Sequence, residues 1–141
     1  MRGVSLFCAL AALLAPPAIR ADDLAAQRAR FPLVWETAQH GPAGAWRRLA
    51  VGLESYPLFA YLELASLQRR IQDVQQPEAR KFLSAWPDSL PAKLWREAFL
   101  AELARRADWR DFLDLYTPDG AGTILQCHAL HARIALGEKV D

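Results

Sequence analysis

Residues 57–71 carry apolar side chains on more than one side of a predicted helix. One apolar face follows the helical spacing of three and four positions and consists of Leu58, Tyr61, Leu62 and Ala65. Phe59 and Leu64 lie off that face. Pro57 suits the first position of the helix, where its missing N–H costs nothing. A helix that is apolar on two sides needs neighbours on two sides, so we expect an inner helix in a layered stack.

The remaining chain shows the same helical periodicity, interrupted by turn residues. We predict seven helices, at residues 23–39, 43–53, 57–71, 77–86, 91–107, 108–115 and 123–136. Asp108 and Thr123 are expected to cap the sixth and seventh helices, and Gly137 to end the last one. Pro32 is expected to kink the first helix. No segment alternates apolar and polar residues over a strand length, so no strand is predicted.

The spacing of the turns indicates how these helices assemble. Turns recur so that two helices span about 35 residues, the unit size of helical solenoids. We therefore predict an all-α fold, a right-handed α-superhelix of stacked helical hairpins; a closed seven-helix bundle is the alternative. In the last helix, Ile124, Leu125, Leu130 and Ile134 have no later segment to pack on. We expect the superhelix to be incomplete at its C-terminus.

The N-terminal segment has the pattern of a signal peptide. Arg2 precedes an uncharged apolar run over residues 4–15, and Pro16-Pro17 follow it. The run is too short to span a bilayer. We expect residues 1–21 to be a signal peptide and residues 22–141 to be exported to the periplasm; a helix that docks on the domain is the alternative.

Composition excludes some classes of protein. The chain has 141 residues, of which 52% are hydrophobic, and a formal net charge of +1. This length and composition suit one folded domain with a sizeable core. Basic residues never form a tract longer than a pair, so nucleic acid is not an expected partner. No integral membrane span is expected either.

Cys127 would be the only cysteine of the exported chain. Thiols tend to pair in an oxidising compartment. Three explanations stay open at this point: a buried small apolar residue, a partner on another chain, or a partner beyond residue 141.

The candidate metal-binding and acid–base residues do not form a recognisable site in the sequence. Cys127, His128 and His131 share one helix, but structural zinc takes four ligands and no second pair has ligand spacing. We expect no metal and no cofactor. The carboxylates of Asp111 and Asp114 resemble those of any solvated helix face, and Glu63 is expected to bind a backbone group or an arginine.

Arginines and tryptophans have structural explanations as well. The pairs Arg47-Arg48, Arg69-Arg70 and Arg105-Arg106 are expected to complement helix C-termini rather than form a polyanion surface. Glu97 and Glu102 are expected to form helix ion pairs with Arg96, Arg105 and Arg106. Core packing is favoured over sugar stacking for the tryptophans that fit apolar faces, which are Trp46, Trp86 and Trp95.

Several short segments together resemble a known family. They are Gln27-Arg28-Ala29-Arg30-Phe31, Tyr56-Pro57-Leu58, Tyr61-Leu62-Glu63, Phe82-Leu83, Leu90-Pro91, Glu102-Leu103-Ala104-Arg105-Arg106, Asp108-Trp109-Arg110 and Gln126-Cys127. In this order and spacing, residues 22–141 resemble the N-terminal superhelical region of the soluble lytic murein transglycosylases of Gram-negative bacteria.

The resemblance implies a periplasmic enzyme that cleaves peptidoglycan between N-acetylmuramic acid and N-acetylglucosamine without water, leaving 1,6-anhydromuramoyl ends. In that family one glutamate, followed by a serine and accompanied by a Gly-Leu-Met-Gln motif, acts in a C-terminal lysozyme-like domain. Glu54-Ser55 lacks that context, and the motif does not occur here. We therefore expect no catalytic residue in this chain.

The resemblance also implies partners: peptidoglycan glycan strands through the whole enzyme, and a missing C-terminal domain. A second family cysteine further along would explain Cys127. The alternative is a stand-alone periplasmic helical-repeat module that binds peptidoglycan or a protein partner.

Overall fold

A computed structural model describes residues 21–139, which form seven α-helices and one 3-10 turn and contain no strand. Residues 1–20, and with them most of the predicted signal peptide, lie outside the described part. The helices are α1 Ala21–His40, α2 Ala45–Leu49, α3 Phe59–Gln68, α4 Gln76–Ala85, α5 Leu90–Arg106, α6 Trp109–Leu115 and α7 Thr123–Ala135, with the 3-10 turn at Ile71–Asp73. The predicted number and order of helices are confirmed.

Packing advances along the chain as expected for stacked hairpins. Helix α1 packs on α2 and α3, α3 packs on α5, and α5 packs on α4, α6 and α7. Each odd-numbered helix therefore covers the next odd-numbered one, while the even-numbered helices lie beside them. This is the arrangement of a helical superhelix, and the all-α prediction is confirmed.

Helix α3 contributes to two separate hydrophobic clusters. Leu62 and Ala65 are buried with residues of α1 and α2. Leu64 and Leu67 are buried in a second cluster that continues through α5 and α7. At the centre of this second cluster the stacked rings of Trp95 and Phe99 lie 5.2 Å apart. The predicted inner helix thus has neighbours on two sides.

The start of α3 differs from the prediction. Pro57 is not the first helical residue, because α3 begins at Phe59 after Leu58. The Phe59 N–H donates to the Tyr56 carbonyl at 2.9 Å, so Pro57 and Leu58 are the central residues of a turn. Proline suits this turn because its fixed φ matches the first central position.

Two predicted caps and one helix length are also wrong. Asp108 precedes α6, but its side chain makes no capping hydrogen bond. Thr123 is the first residue of α7, and Gly122 is the residue before it. Helix α2 ends at Leu49 and is shorter than predicted, and Gly52 takes a φ of 84° in the irregular segment after it. The prediction for Gly137 is confirmed: its φ of 85° ends α7.

Helix α7 has a buried face and an exposed apolar face. Leu125 belongs to the second cluster, so the expectation that it lacks a packing partner is wrong. Ile124, Leu130 and Ile134 are 74%, 46% and 61% exposed, and we call these three residues the outer face of α7. Across residues 21–139, no helix is both long enough and apolar enough to cross a membrane.

Candidate functional site

A cleft lies between α5 and the loop that joins α6 to α7. Its volume is about 540 Å³, within the range of small-molecule sites. Its polar or charged lining residues are Asp88, Lys93, Arg96, Glu97, Thr117 and Asp119, and the others are Ala92, Leu100, Gly120, Ala121, Gly122 and Leu125. We call it the α5–α7 cleft.

Local sequence explains the walls of this cleft. The hydroxyl of Ser89 accepts a hydrogen bond from the Ala92 N–H at 3.2 Å, which fixes the start of α5. On the opposite wall, Gly120 takes a φ of 77°. Leu100 and Leu125 are almost fully buried and form an apolar floor. A rigid helix and a turned loop therefore face each other across a floor that belongs to the core.

Arg96 is the half-buried cation of the cleft. Its Nη1 lies 3.5 Å from the Thr117 Oγ1, at the outer limit of a hydrogen bond. Its Nε is buried and has no hydrogen-bond partner within residues 23–139. The described part of the chain contains no ion pair of Arg96 or of Glu97, so the expected helix ion pairs are confirmed for Glu102 and not for Glu97.

Most other arginines of the described residues already have partners. Arg69 Nη1 donates to the carbonyls of Ala38 at 3.2 Å and Gly41 at 2.8 Å, so it caps the end of α1 and not of its own helix. Arg70 pairs with Glu78. Arg47 lies over the ring of Trp46, 5.0 Å from its centroid. The expectation that these arginines complement helix C-termini is confirmed for Arg69, whereas Arg70 and Arg47 have other structural partners.

Glu102 is the buried carboxylate of the structure, at 7% exposure. Arg105 Nη2 donates to it at 2.6 Å and Arg106 Nε at 2.9 Å, as predicted. The hydrogen bonds from Arg105 and then from Arg106 outweigh the effect of burial and lower the pKa of Glu102 from 4.5 to about 2. The group is held ionised, in keeping with a structural ion pair.

Glu63 has a different partner from the one predicted. Its Oε2 accepts a hydrogen bond from the indole Nε1 of Trp86 at 2.6 Å, and not from a backbone group or an arginine. Trp86, whose indole makes this hydrogen bond, is half-buried. Trp46 and Trp95 are 2% and 0% exposed, so core packing is confirmed for these two rings.

Glu54 and Ser55 take part in local contacts of an exposed turn. The Glu54 Oε2 accepts a hydrogen bond from the Gly52 N–H at 2.8 Å. The Ser55 hydroxyl accepts one from Gln27 Nε2 at 3.1 Å. These contacts explain both side chains structurally, and the absence of a catalytic role stays a prediction.

Cys127, His128 and His131 do not converge. Cys127 is exposed, so its explanation as a buried apolar residue is wrong, while the other two explanations stay open. The His131 ring lies 4.7 Å from the ring of Trp109, and the His128 ring faces Phe112. Within the described residues, no three His, Cys, Asp or Glu side chains are grouped for a metal ion.

The carboxylates of Asp111 and Asp114 also have different surroundings. Asp114 pairs with Arg80, and the hydrogen bond from Arg80 lowers the pKa of Asp114. Asp111 lies in the first turn of α6. The two residues therefore do not form a pair of carboxylates around one cavity.

Sequence reasoning missed the α5–α7 cleft. Lys93, Arg96 and Asp119 come from α5 and from a loop more than twenty positions later, and no sequence spacing connects them. The sequence contains only an indirect indication of this cleft. Glycines at 120 and 122 indicate a turn, but not which element the turn faces.

The fold and the α5–α7 cleft together define a class of protein. It is an α-superhelix of stacked helical hairpins with a cleft the size of a small-molecule site. Comparison with known proteins places it more closely. The chain is homologous to a segment of the soluble lytic murein transglycosylases, and the resemblance noted from its sequence is confirmed. No family model matches the chain.

Two relatives and one solved structure carry this conclusion. The soluble lytic murein transglycosylase of Escherichia coli K12 is 30% identical over 123 residues, which are 86% of this chain and 19% of that protein. The Salmonella typhimurium LT2 protein of the same name is 31% identical over 120 residues, 84% and 18% of the two chains. The 70-kDa soluble lytic transglycosylase solved in complex with bulgecin A matches with a TM-score of 0.71 and 28% identity, over 81% of this chain and 18% of that one. The chain thus spans about a fifth of the length of these relatives.

Proposed function

We propose that residues 22–141 are the N-terminal part of the superhelical domain of an exported lytic transglycosylase that cleaves murein. In this proposal the whole enzyme breaks the bond between N-acetylmuramic acid and N-acetylglucosamine and leaves 1,6-anhydromuramoyl ends. It acts in the periplasm, and residues 1–21 are its signal peptide. The present chain supplies scaffold and surface and no catalytic group.

One observation carries the proposal: sequence and fold agree on the same kind of enzyme. The identity of 30% extends over 86% of the chain, so it covers far more than one hairpin. The fold match of 0.71 involves a protein of the same description. Glu54, which is followed by a serine, is bonded to its own turn and lies outside the α5–α7 cleft.

A chimera tests the proposal. The matching segment of the Escherichia coli enzyme is replaced by this chain, and the release of 1,6-anhydromuropeptides from purified murein is measured by chromatography. Because the segment acts as scaffold, we expect the chimera to retain most of the parent activity and the isolated chain to release none. Deletion of the segment is the control and should abolish activity. A folded but inactive chimera, or product release by the isolated chain, would contradict the proposal.

A second candidate function is a stand-alone helical module that binds peptidoglycan or a protein partner. In such a module the outer face of α7, with its three exposed apolar side chains, would contact the partner. The same exposure is expected of an incomplete superhelix, so it does not favour the module. The chimera separates the two candidates, since a stand-alone module would not restore cleavage in a foreign enzyme.

A further inference from the structure

We propose that the α5–α7 cleft binds a charged peptide end, with a carboxylate on Arg96 and Lys93 and an ammonium group on the carboxylates that also line the cleft. The inference rests on the proposed function and names the part of murein concerned: the peptide, and not the glycan. It assigns a ligand class to a surface for which we propose no role in bond cleavage.

The unused hydrogen-bonding capacity of Arg96 is the first reason to expect a carboxylate in the cleft. A guanidinium group has five N–H donors and favours planar carboxylates, which it binds through two parallel hydrogen bonds. Arg96 uses one of these donors, weakly, on Thr117. Its buried Nε has no partner among residues 23–139. Since an unmade hydrogen bond of a buried charged group is costly, a carboxylate that enters the cleft gains more here than at a solvated arginine.

Arg106 differs from Arg96 in its hydrogen-bond partners. Arg106 comes from the same helix and is also half-buried, yet it is engaged by the Glu102 carboxylate and by the carbonyl oxygen of Ile71 at 2.7 Å. Arg96 has no carboxylate or carbonyl partner within the described residues, although Glu97 is its neighbour in sequence. The cleft therefore contains a cation whose hydrogen-bonding capacity remains available.

The balance of charge around the cleft is the second reason. Lys93 adds a second cation one helical turn before Arg96, while Asp88, Glu97 and Asp119 supply three carboxylates. A simple anion would meet these carboxylates and be repelled by them. A zwitterion satisfies both signs, with its carboxylate on the two cations of α5 and its ammonium group on the carboxylates of the cleft.

The apolar floor and the absence of aromatic lining favour a peptide over a sugar. Ala92, Leu100 and Leu125 offer contact to an alkyl side chain or to alanine methyl groups. Among the described residues that line the cleft, none is aromatic, so a sugar ring finds no flat face on which to stack. The half-buried tryptophans Trp35, Trp86 and Trp109 all lie elsewhere.

Titration followed by ¹⁵N–¹H NMR tests the inference on the intact protein. The probe is the tripeptide L-Ala-γ-D-Glu-meso-diaminopimelate, which carries free amino and carboxyl groups. We expect saturable shifts at the amides of Leu100, Gly120 and Gly122. The same peptide with its amino groups acetylated and its carboxyl groups amidated, and the sugar chitotetraose, are expected to cause none. Equal binding of either control, or no saturable shift at millimolar tripeptide, would overturn the inference.

Matched variants locate the interaction. Arg96→Ala should weaken tripeptide binding by about tenfold or more, because it removes a charge-assisted hydrogen-bond donor. Arg48→Ala, an exposed arginine on α2, should leave the dissociation constant within about twofold. Lys93→Ala tests the same prediction at an exposed position, in case Arg96→Ala disturbs the fold. Unchanged affinity in folded Arg96→Ala and Lys93→Ala would refute the assignment.

The chimera keeps this inference separate from the proposed function. If the chimera cleaves murein and the tripeptide does not bind, the cleft assignment is wrong and the scaffold function stands. If the tripeptide binds in the cleft but the folded chimera is inactive, the ligand class stands and the scaffold function fails.

Discussion

Arg106 connects the buried carboxylate of Glu102 to a segment more than thirty residues earlier in the chain. Its Nε donates to Glu102 Oε1 at 2.9 Å, and its Nη2 donates to the carbonyl of Ile71 at 2.7 Å. Nη1 also reaches the Val74 carbonyl at 3.2 Å. One side chain therefore attaches the 3-10 turn between α3 and α4 to the end of α5. The buried carboxylate fixes the arginine that makes this attachment.

The stability of the protein should decrease at low pH because of Glu102. Its pKa is lower in the folded state, about 2, than its ordinary value of 4.5, so the ionised carboxylate stabilises the folded form. This contribution is fully present above about pH 4.5 and is lost progressively as the pH falls toward about 2. Urea unfolding monitored by circular dichroism at pH 7, 4 and 3 measures it.

The control for this prediction is Glu102→Gln, which keeps the shape and removes the charge. We expect it to lower the free energy of unfolding at pH 7 by about 2 kcal/mol and to flatten part of the pH dependence. The remaining acid sensitivity should come from Glu78 and Asp114, whose pKa values are lowered by hydrogen bonds from Arg70 and Arg80. A variant with the same acid sensitivity as the parent would show that Glu102 is not the titrating group.

The hydrogen bond between Glu63 and Trp86 should stabilise the contact between α3 and the end of α4. Trp86→Phe removes the indole donor and leaves the half-buried carboxylate without it, so we expect a loss of about 1 kcal/mol in chemical unfolding. The double variant Glu63→Leu/Trp86→Phe removes both partners and should lose less than the sum of the single variants. Strict additivity would mean that the two side chains do not interact.

Arg69 should contribute to stability through the end of a helix other than its own. Arg69→Ala leaves the carbonyls of Ala38 and Gly41 without their donor and is expected to cost about 1 kcal/mol. Arg48→Ala is the matched control, with an expected change within about 0.5 kcal/mol. Equal losses of stability in the two variants would mean that removal of a positive charge, and not loss of the helix cap, causes the effect.

The outer face of α7 should promote self-association. Ile124 and Ile134 are 74% and 61% exposed, and apolar groups on one helix face remove themselves from water by pairing. We expect the apparent mass in sedimentation to rise with protein concentration, and Ile134→Glu to suppress the rise with little change in thermal stability. Leu62→Ala, at a buried position, should instead cost about 2–5 kcal/mol. A parent protein that stays monomeric at all concentrations would contradict the first expectation.

The sequence by itself determined the helices and their order. Helical periodicity is local, so the two apolar sides of α3 could be predicted from the sequence. Leu62 and Ala65 on one side and Leu64 on the other are buried in the structure. Gly137 ended α7 as expected, because a positive φ favours glycine. The order of short segments was also sufficient to indicate the transglycosylase relatives.

Only the tertiary structure decided which polar groups meet. Glu63 and Trp86 are 23 positions apart, and Arg106 and Ile71 are 35 apart, so their contacts depend on how whole helices pack. The α5–α7 cleft arises in the same way, because a loop after α6 returns to face the middle of α5. Periodicity shows which face of a helix avoids water. The partners of a charged side chain on the other face depend on the positions of neighbouring helices, which packing alone fixes.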